Sequence, residues 1–86
     1  MTKFSLEILH VLNENEATTQ VNAMSIRQIY DQLLDKKRKA YSTIYRHLLI
    51  LSDKGYVDNA LQDGLSSTYM ITSTGQQLHD AMYKTV

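Results

Sequence analysis

Cysteine is absent from the 86 residues, which rules out a disulfide framework, a thiolate nucleophile and a cysteine-ligated zinc site. Stability must come from the core or from a partner, and nothing points to an oxidising compartment. Net charge is absent as well: nine basic side chains balance nine acidic ones, so the chain cannot coat a polyanion through bulk charge. Long apolar runs are missing, and none approaches the roughly 20 residues that cross a bilayer. The segment Met1 to Leu12 carries charge and His10 where a signal peptide is uniformly apolar, so a cytoplasmic protein is expected. Glycine is scarce, at three residues, each placed at a turn or helix boundary. Nucleophile elbow, Gly-rich phosphate loop and paired-histidine metal spacing are all lacking. An enzyme, a cofactor and a metal site are therefore not expected.

What is present suits one globular domain spanning residues 1–86. Hydrophobic residues make up 43% of the chain, six of its residues are tyrosine, and its length permits a single modest core. The charge is unevenly spread. Residues 1–35 hold two bases against five acids, residues 36–46 hold Lys36, Lys37, Arg38, Lys39 and Arg46 without an acid, and residues 47–86 hold two bases against four acids. Positive charge is concentrated in one eleven-residue stretch.

Hydrophobic spacing orders the elements. Phe4, Ile8, Leu9 and Leu12 recur at helical period from Lys3 to Asn13, with Asn13-Glu14-Asn15-Glu16 as a polar stop. Ala17 to Ala23 has the composition of a loop. Ser25-Ile26-Arg27-Gln28 has the form of a capping box, with Met24 and Ile29 placed as a hydrophobic staple. The stripe Ile26, Ile29, Tyr30, Leu33 and Leu34 continues that second helix. After the basic run, Ile44, Leu48 and Leu51 define a third helix, and Gly55 can adopt the left-handed conformation of a helix C-terminus. Tyr56 to Leu61 and Ser66 to Ile71 are strand-like on either side of Gln62-Asp63-Gly64-Leu65, a hairpin signal. Ser73 or Thr74 is placed to cap a last helix bearing Leu78, Ala81 and Met82. The order helix, helix, helix, hairpin, helix is that of a winged helix-turn-helix: mainly α with a small β-hairpin.

Two families share these residues. Ile29-Tyr30, Ser42-Thr43-Ile44-Tyr45-Arg46-His47-Leu48, Leu51 and Gly55-Tyr56-Val57 resemble the DNA-binding half of the ferric uptake regulator (Fur) family. From Thr43 through Leu78 the chain is equally similar to the PadR-like regulators, and the tail Thr72-x-x-Gly75-x-x-Leu78 resembles both PadR-like and MarR-like regulators. Both resemblances imply a regulator that binds double-stranded DNA, and the Fur resemblance implies DNA contact by Tyr45 and Arg46. Fur-like proteins carry a further metal-binding dimerisation domain built on clustered histidines. Here His10, His47 and His79 stand apart and the sequence stops short of such a domain, so metal sensing is not expected.

The residues themselves place the same chemistry. With Ile44, Leu48 and Leu51 buried, a rotation of about 100° per residue puts Ser42 and Arg46 on the far side of the third helix and Thr43 and Tyr45 on its flanks. Ser42, Thr43, Tyr45 and Arg46 are thus the expected base readers in the major groove. Arg46 can grip guanine in bidentate fashion, and Tyr45 or Thr43 can touch a thymine methyl. Lys36, Lys37, Arg38 and Lys39 are expected at backbone phosphates. The wing tip, with one acid and no cation, is a poor minor-groove probe. Tyr30 and Tyr56 are expected as core aromatics.

One short helix reads few base pairs, so a homodimeric repressor is expected, paired through Phe4, Ile8, Leu78 and Met82. The rival is a winged-helix protein-interaction module without nucleic acid, which zero net charge and the acidic wing favour.

Overall fold

In the computed structural model, which describes residues 2–33, 40–61 and 67–83, four helices surround a three-stranded antiparallel sheet. Helix α1 runs Lys3–Glu14 and is capped by Thr2, whose hydroxyl accepts from the Ser5 amide. Its apolar stripe is wholly spent inside the chain: Ile8, Leu9 and Leu12 are fully buried, and Phe4 is 8% exposed. Phe4 and Ile8, expected at a dimer contact, are buried within this chain. α1 is the central helix, touching α2, α3, α4 and β3.

Beyond α1 the chain turns through Glu16, which adopts a left-handed φ of 54°. The Ala17 amide reaches back to the Leu12 carbonyl, and the Ala17 carbonyl accepts from the Ile71 amide at 2.8 Å. This bond ties a segment of loop composition to the sheet. A short strand, β1 (Met24–Ser25), then pairs with β3 through Met24 with Tyr69 and Ser25 with Thr68. Its two residues are too few to show a strand period, and their chemistry marks only the start of a helix.

Helix α2 (Ile26–Gln32) begins with the capping box in full: Ser25 Oγ accepts from the Gln28 amide, and the Gln28 side chain accepts from the Ser25 amide. It ends two residues earlier than its apolar stripe suggested. Leu33 turns extended at ψ 145° yet stays buried, and Leu34 lies outside the described residues. Asn15 and Gln32 exchange two amide hydrogen bonds, at 3.0 and 3.2 Å, joining the ends of α1 and α2.

Helix α3 (Tyr41–Asp53) buries Ile44, Leu48 and Leu51 completely, as their spacing implied. At its C-terminus Gly55 takes φ 83°, its amide bonds to Ser52 O, and the Tyr56 amide bonds to Leu51 O at 2.9 Å. These two bonds form a Schellman motif, which satisfies carbonyls that a helix end otherwise leaves bare. Strands β2 (Val57–Leu61) and β3 (Ser67–Ile71) pair from Val57 with Ile71 to Leu61 with Ser67, giving sheet order β1-β3-β2. The wing tip, residues 62–66, lies outside the described residues.

Helix α4 (Ser73–Tyr83) is capped one residue earlier than expected, by Thr72. The Thr72 hydroxyl accepts from the Gly75 amide at 3.0 Å and donates to the Gly55 carbonyl at 2.7 Å, while its amide donates to Tyr56 O. Gly75 sits so close to the Tyr56 carbonyl that no Cβ fits there. The spacing Thr72-x-x-Gly75 thus has a packing cause: it locks the start of α4 onto the end of α3.

Candidate nucleic-acid interface

The first two turns of α3 offer their polar side chains outward. Ser42 and Arg46 are exposed, Tyr45 is 47% exposed, and Thr43 is half-buried, the distribution expected once Ile44 and Leu48 fix the inner face. No side chain caps this end; Ala40 occupies the N-cap position. Tyr41, also exposed, meets Tyr30 edge-on at 5.0 Å and so braces the entry of α3 against α2. Tyr30 and Tyr56 pack against the core. The opposite side of α3 is held by His47, whose Nδ1 lies 2.9 Å from the buried Ser5 Oγ and whose ring stands edge-on to Phe4 at 4.9 Å. Arg46 therefore rests on a helix whose rotation about its own axis is set by apolar burial and by one polar contact to α1.

Further along the same helix, Leu49 and Ile50 are also nearly half exposed. The basic run Lys36 to Lys39 falls outside the described residues.

Beside Tyr45 the fold makes a recess that sequence reading missed. A cavity of about 450 Å³ lies between α2, α3 and β3, lined by Ser25, Ile26, Arg27, Tyr45, Ser67 and Tyr69. Burial first, and the neighbouring Tyr45 hydroxyl second, raise the Tyr69 phenol above its ordinary value, against a side-chain hydrogen bond with Ser67. Tyr69 therefore remains a neutral hydroxyl through the physiological range. Arg27 is exposed, and among the described residues no carboxylate pairs with it. Its one sequence signal is that it and Lys3 are the sole bases in the first 35 residues. That signal does not locate it opposite Tyr45.

The histidines are not isolated, which corrects another expectation. His10 Nδ1 lies 2.9 Å from His79 Nε2, joining α1 to α4 across 69 residues of sequence, and Tyr83 stacks on both rings at 4.6 Å. His79 is buried, with its Nδ1 3.1 Å from Asp80. The two rings spend ring nitrogens on each other. Among the described residues no three His, Cys, Asp or Glu side chains converge to hold a metal ion. Leu78 packs against the core from α4, whereas Met82 and Tyr83 are about half exposed. No helix among the described residues is long and apolar enough to cross a membrane.

Comparison with known proteins agrees with this geometry. A profile described as "Ferric uptake regulator family" matches residues 1–85. Among solved structures, TubR from Bacillus megaterium pBM400 is similar with a TM-score of 0.80 and 23% identity, over 96% of this chain and 88% of that one. The DNA-binding TubR fragment from Clostridium botulinum is similar at 0.73 and 23%, over 95% and 96%. The Vibrio cholerae ferric uptake regulator is similar at 0.69 and 21%, over 100% and 82%. These likenesses establish the winged-helix fold. No curated protein matches the chain.

Proposed function

The chain belongs to the ferric uptake regulator family and is a DNA-binding transcriptional regulator; from that premise we propose that it is a repressor that reads double-stranded DNA in the major groove with the first turns of α3. The observation that carries this reading is the exposure of Ser42, Tyr45 and Arg46 together at the uncapped end of a helix whose other face is fully buried. A folded helix presents these side chains to base edges with its backbone already ordered, so only their rotamers remain to be fixed on binding.

Arg46 engages guanine through two parallel hydrogen bonds, and Thr43 and Tyr45 contribute contacts to neighbouring bases. Lys36, Lys37, Arg38 and Lys39, which precede α3 in sequence, supply phosphate contacts that strengthen binding in a salt-dependent way. Two copies act together, because a single short helix distinguishes few base pairs and two-fold pairing doubles the site. With Phe4 and Ile8 buried, the exposed edge of α4 at Met82, beside Leu78, is the surface left to pair them. The PadR-like tail enters this reading as a packing device, the Thr72 to Gly75 lock, and makes no DNA contact.

Selection of bound sequences from a random duplex pool tests the proposal. A palindromic consensus is expected from the wild type. Arg46→Ala should lose preference at one position of each half-site, at a cost of about 1–3 kcal/mol. Unchanged preference in Arg46→Ala would remove α3 from the reading role, and recovery of no consensus would reject sequence-specific binding.

A further inference from the structure

We propose that the recess between α2, α3 and β3, with Arg27 at its rim, is a seat for one phosphodiester group of the DNA backbone. The inference rests on the reading of α3 given above and adds to it the contact that fixes where along the duplex α3 is set.

Charge distinguishes this recess from two others on the described surface. Among the described residues Arg27 is its one charged lining residue, and Ser25, Tyr45, Ser67 and Tyr69 bring four hydroxyls with no described carboxylate beside them. A second recess, lined by Asn15, Asn22, Met24, Gln28, Asp31 and Gln32, carries an acid. A third, along α1, carries Glu7 and Glu14. A polyanion is repelled from the second and third and attracted to the first.

Ser67 spends its hydroxyl proton on Tyr69, which leaves the protons of Ser25 and Tyr69 themselves for a ligand. Ser25 Oγ accepts the Gln28 amide in the capping box, so its own proton remains available. The Tyr69 hydroxyl stays protonated for the reasons given above. An arginine fork spans two non-bridging phosphate oxygens in one plane, which lysine cannot do. The three elements that contribute these groups are held rigidly: β3 by pairing on both sides, α2 by its capping box and α3 by its buried stripe.

The ligand is a phosphate of the duplex rather than a free one because Tyr45 lines the recess and also belongs to the reading face of α3. A duplex engaged by Arg46 necessarily brings its backbone past a neighbouring side chain of the same turn. One guanidinium holds a lone phosphate weakly, but a phosphate delivered on an already bound duplex arrives at high effective concentration. Contacts of this kind carry no sequence information and set register and orientation.

Binding of the selected duplex and a scrambled one, measured by fluorescence anisotropy across a salt series, tests the seat. Arg27→Ala should weaken both duplexes by a similar factor, roughly tenfold, and lower the salt slope by about one. Its melting temperature should not move, since Arg27 is exposed and alanine favours helix. Arg27→Lys should restore the slope but only part of the affinity. Replacing single phosphates with neutral methylphosphonates should reveal one position per half-site that penalises the wild type and not Arg27→Ala. Equal penalties in both proteins, or an unchanged slope in Arg27→Ala, would overturn the seat. If Arg46→Ala still loses base preference in that case, the reading of α3 survives its failure. Inorganic phosphate titrated alone is the remaining arm: Arg27-dependent binding of the free ion, with duplex affinity untouched by Arg27→Ala, would assign the recess to a small phosphate ligand and overturn the DNA seat.

Discussion

The two ends of α3 are built on opposite principles. At the C-terminus, Gly55 in the left-handed region, two Schellman bonds, the Thr72 hydroxyl on the Gly55 carbonyl and the close approach of Gly75 to Tyr56 converge within a few residues. At the N-terminus no side chain caps the helix, and Tyr41, Ser42, Tyr45 and Arg46 face solvent. Stability is concentrated at the end that makes no DNA contact in the proposed reading. Recognition is assigned to the end whose polar groups the fold leaves unspent. Such a division lets the reading surface change without unfolding the domain, because surface substitutions usually shift stability by no more than about half a kcal/mol.

Gly75→Ala attacks the locked end most severely. Its Cβ would collide with the Tyr56 backbone carbonyl and with Ile71, neither of which can move without disturbing the start of β2 or the end of β3. A loss of about 3 kcal/mol is expected in chemical denaturation, a large fraction of the stability of a small domain. A variant that melts like the wild type would show the junction to be soft.

Gly55→Ala should cost less, about 1 kcal/mol. No heavy atom lies within 4 Å of the added methyl, so the penalty is the left-handed backbone alone. Glu16 already bears a similar strain at the end of α1. Denaturation midpoints that rank Gly75→Ala far below Gly55→Ala would separate steric from conformational cost. At the open end, Arg46→Ala should shift the midpoint by less than about half a kcal/mol while removing base preference. A large stability loss there would dissolve the contrast between the two ends.

The smallest effect concerns Tyr69, which sits under the open end. Its phenol is raised by burial and by Tyr45, so the folded chain holds that proton more tightly than the unfolded chain does. The resulting stabilisation is full below the ordinary value of 10.0 and is lost as pH rises through the raised folded value. Tyr45→Phe removes one of the two causes. Titration followed by tyrosinate absorbance, with Tyr69→Phe to identify the signal, should show Tyr69 ionising at lower pH in Tyr45→Phe than in wild type, yet still above a free tyrosine. An unchanged titration would mean that the two hydroxyls do not share the recess.

Much of this molecule is local, and what is local was legible in the amino-acid order. The Ser25 capping box, the 44-48-51 stripe, the Gly55 stop and the two strands of the hairpin are signalled by residues near one another in the chain, so periodicity and cap chemistry suffice to place them. The outward set Ser42, Tyr45 and Arg46 follows from the same helical rotation. Four other features required the chain to close on itself. β1 exists only because β3 passes beside it. His10 meets His79, and Ser5 meets His47, across 69 and 42 residues. Phe4 and Ile8 could have faced a partner as readily as a core until α1 was seen surrounded by three helices. Arg27 joined Tyr45 and Tyr69 around one recess only when α2, α3 and β3 had been packed together. Sequence pattern specified which residues form each element and which face is apolar, because those depend on backbone period. Tertiary structure decided which faces meet, and so which polar groups were left to bind DNA.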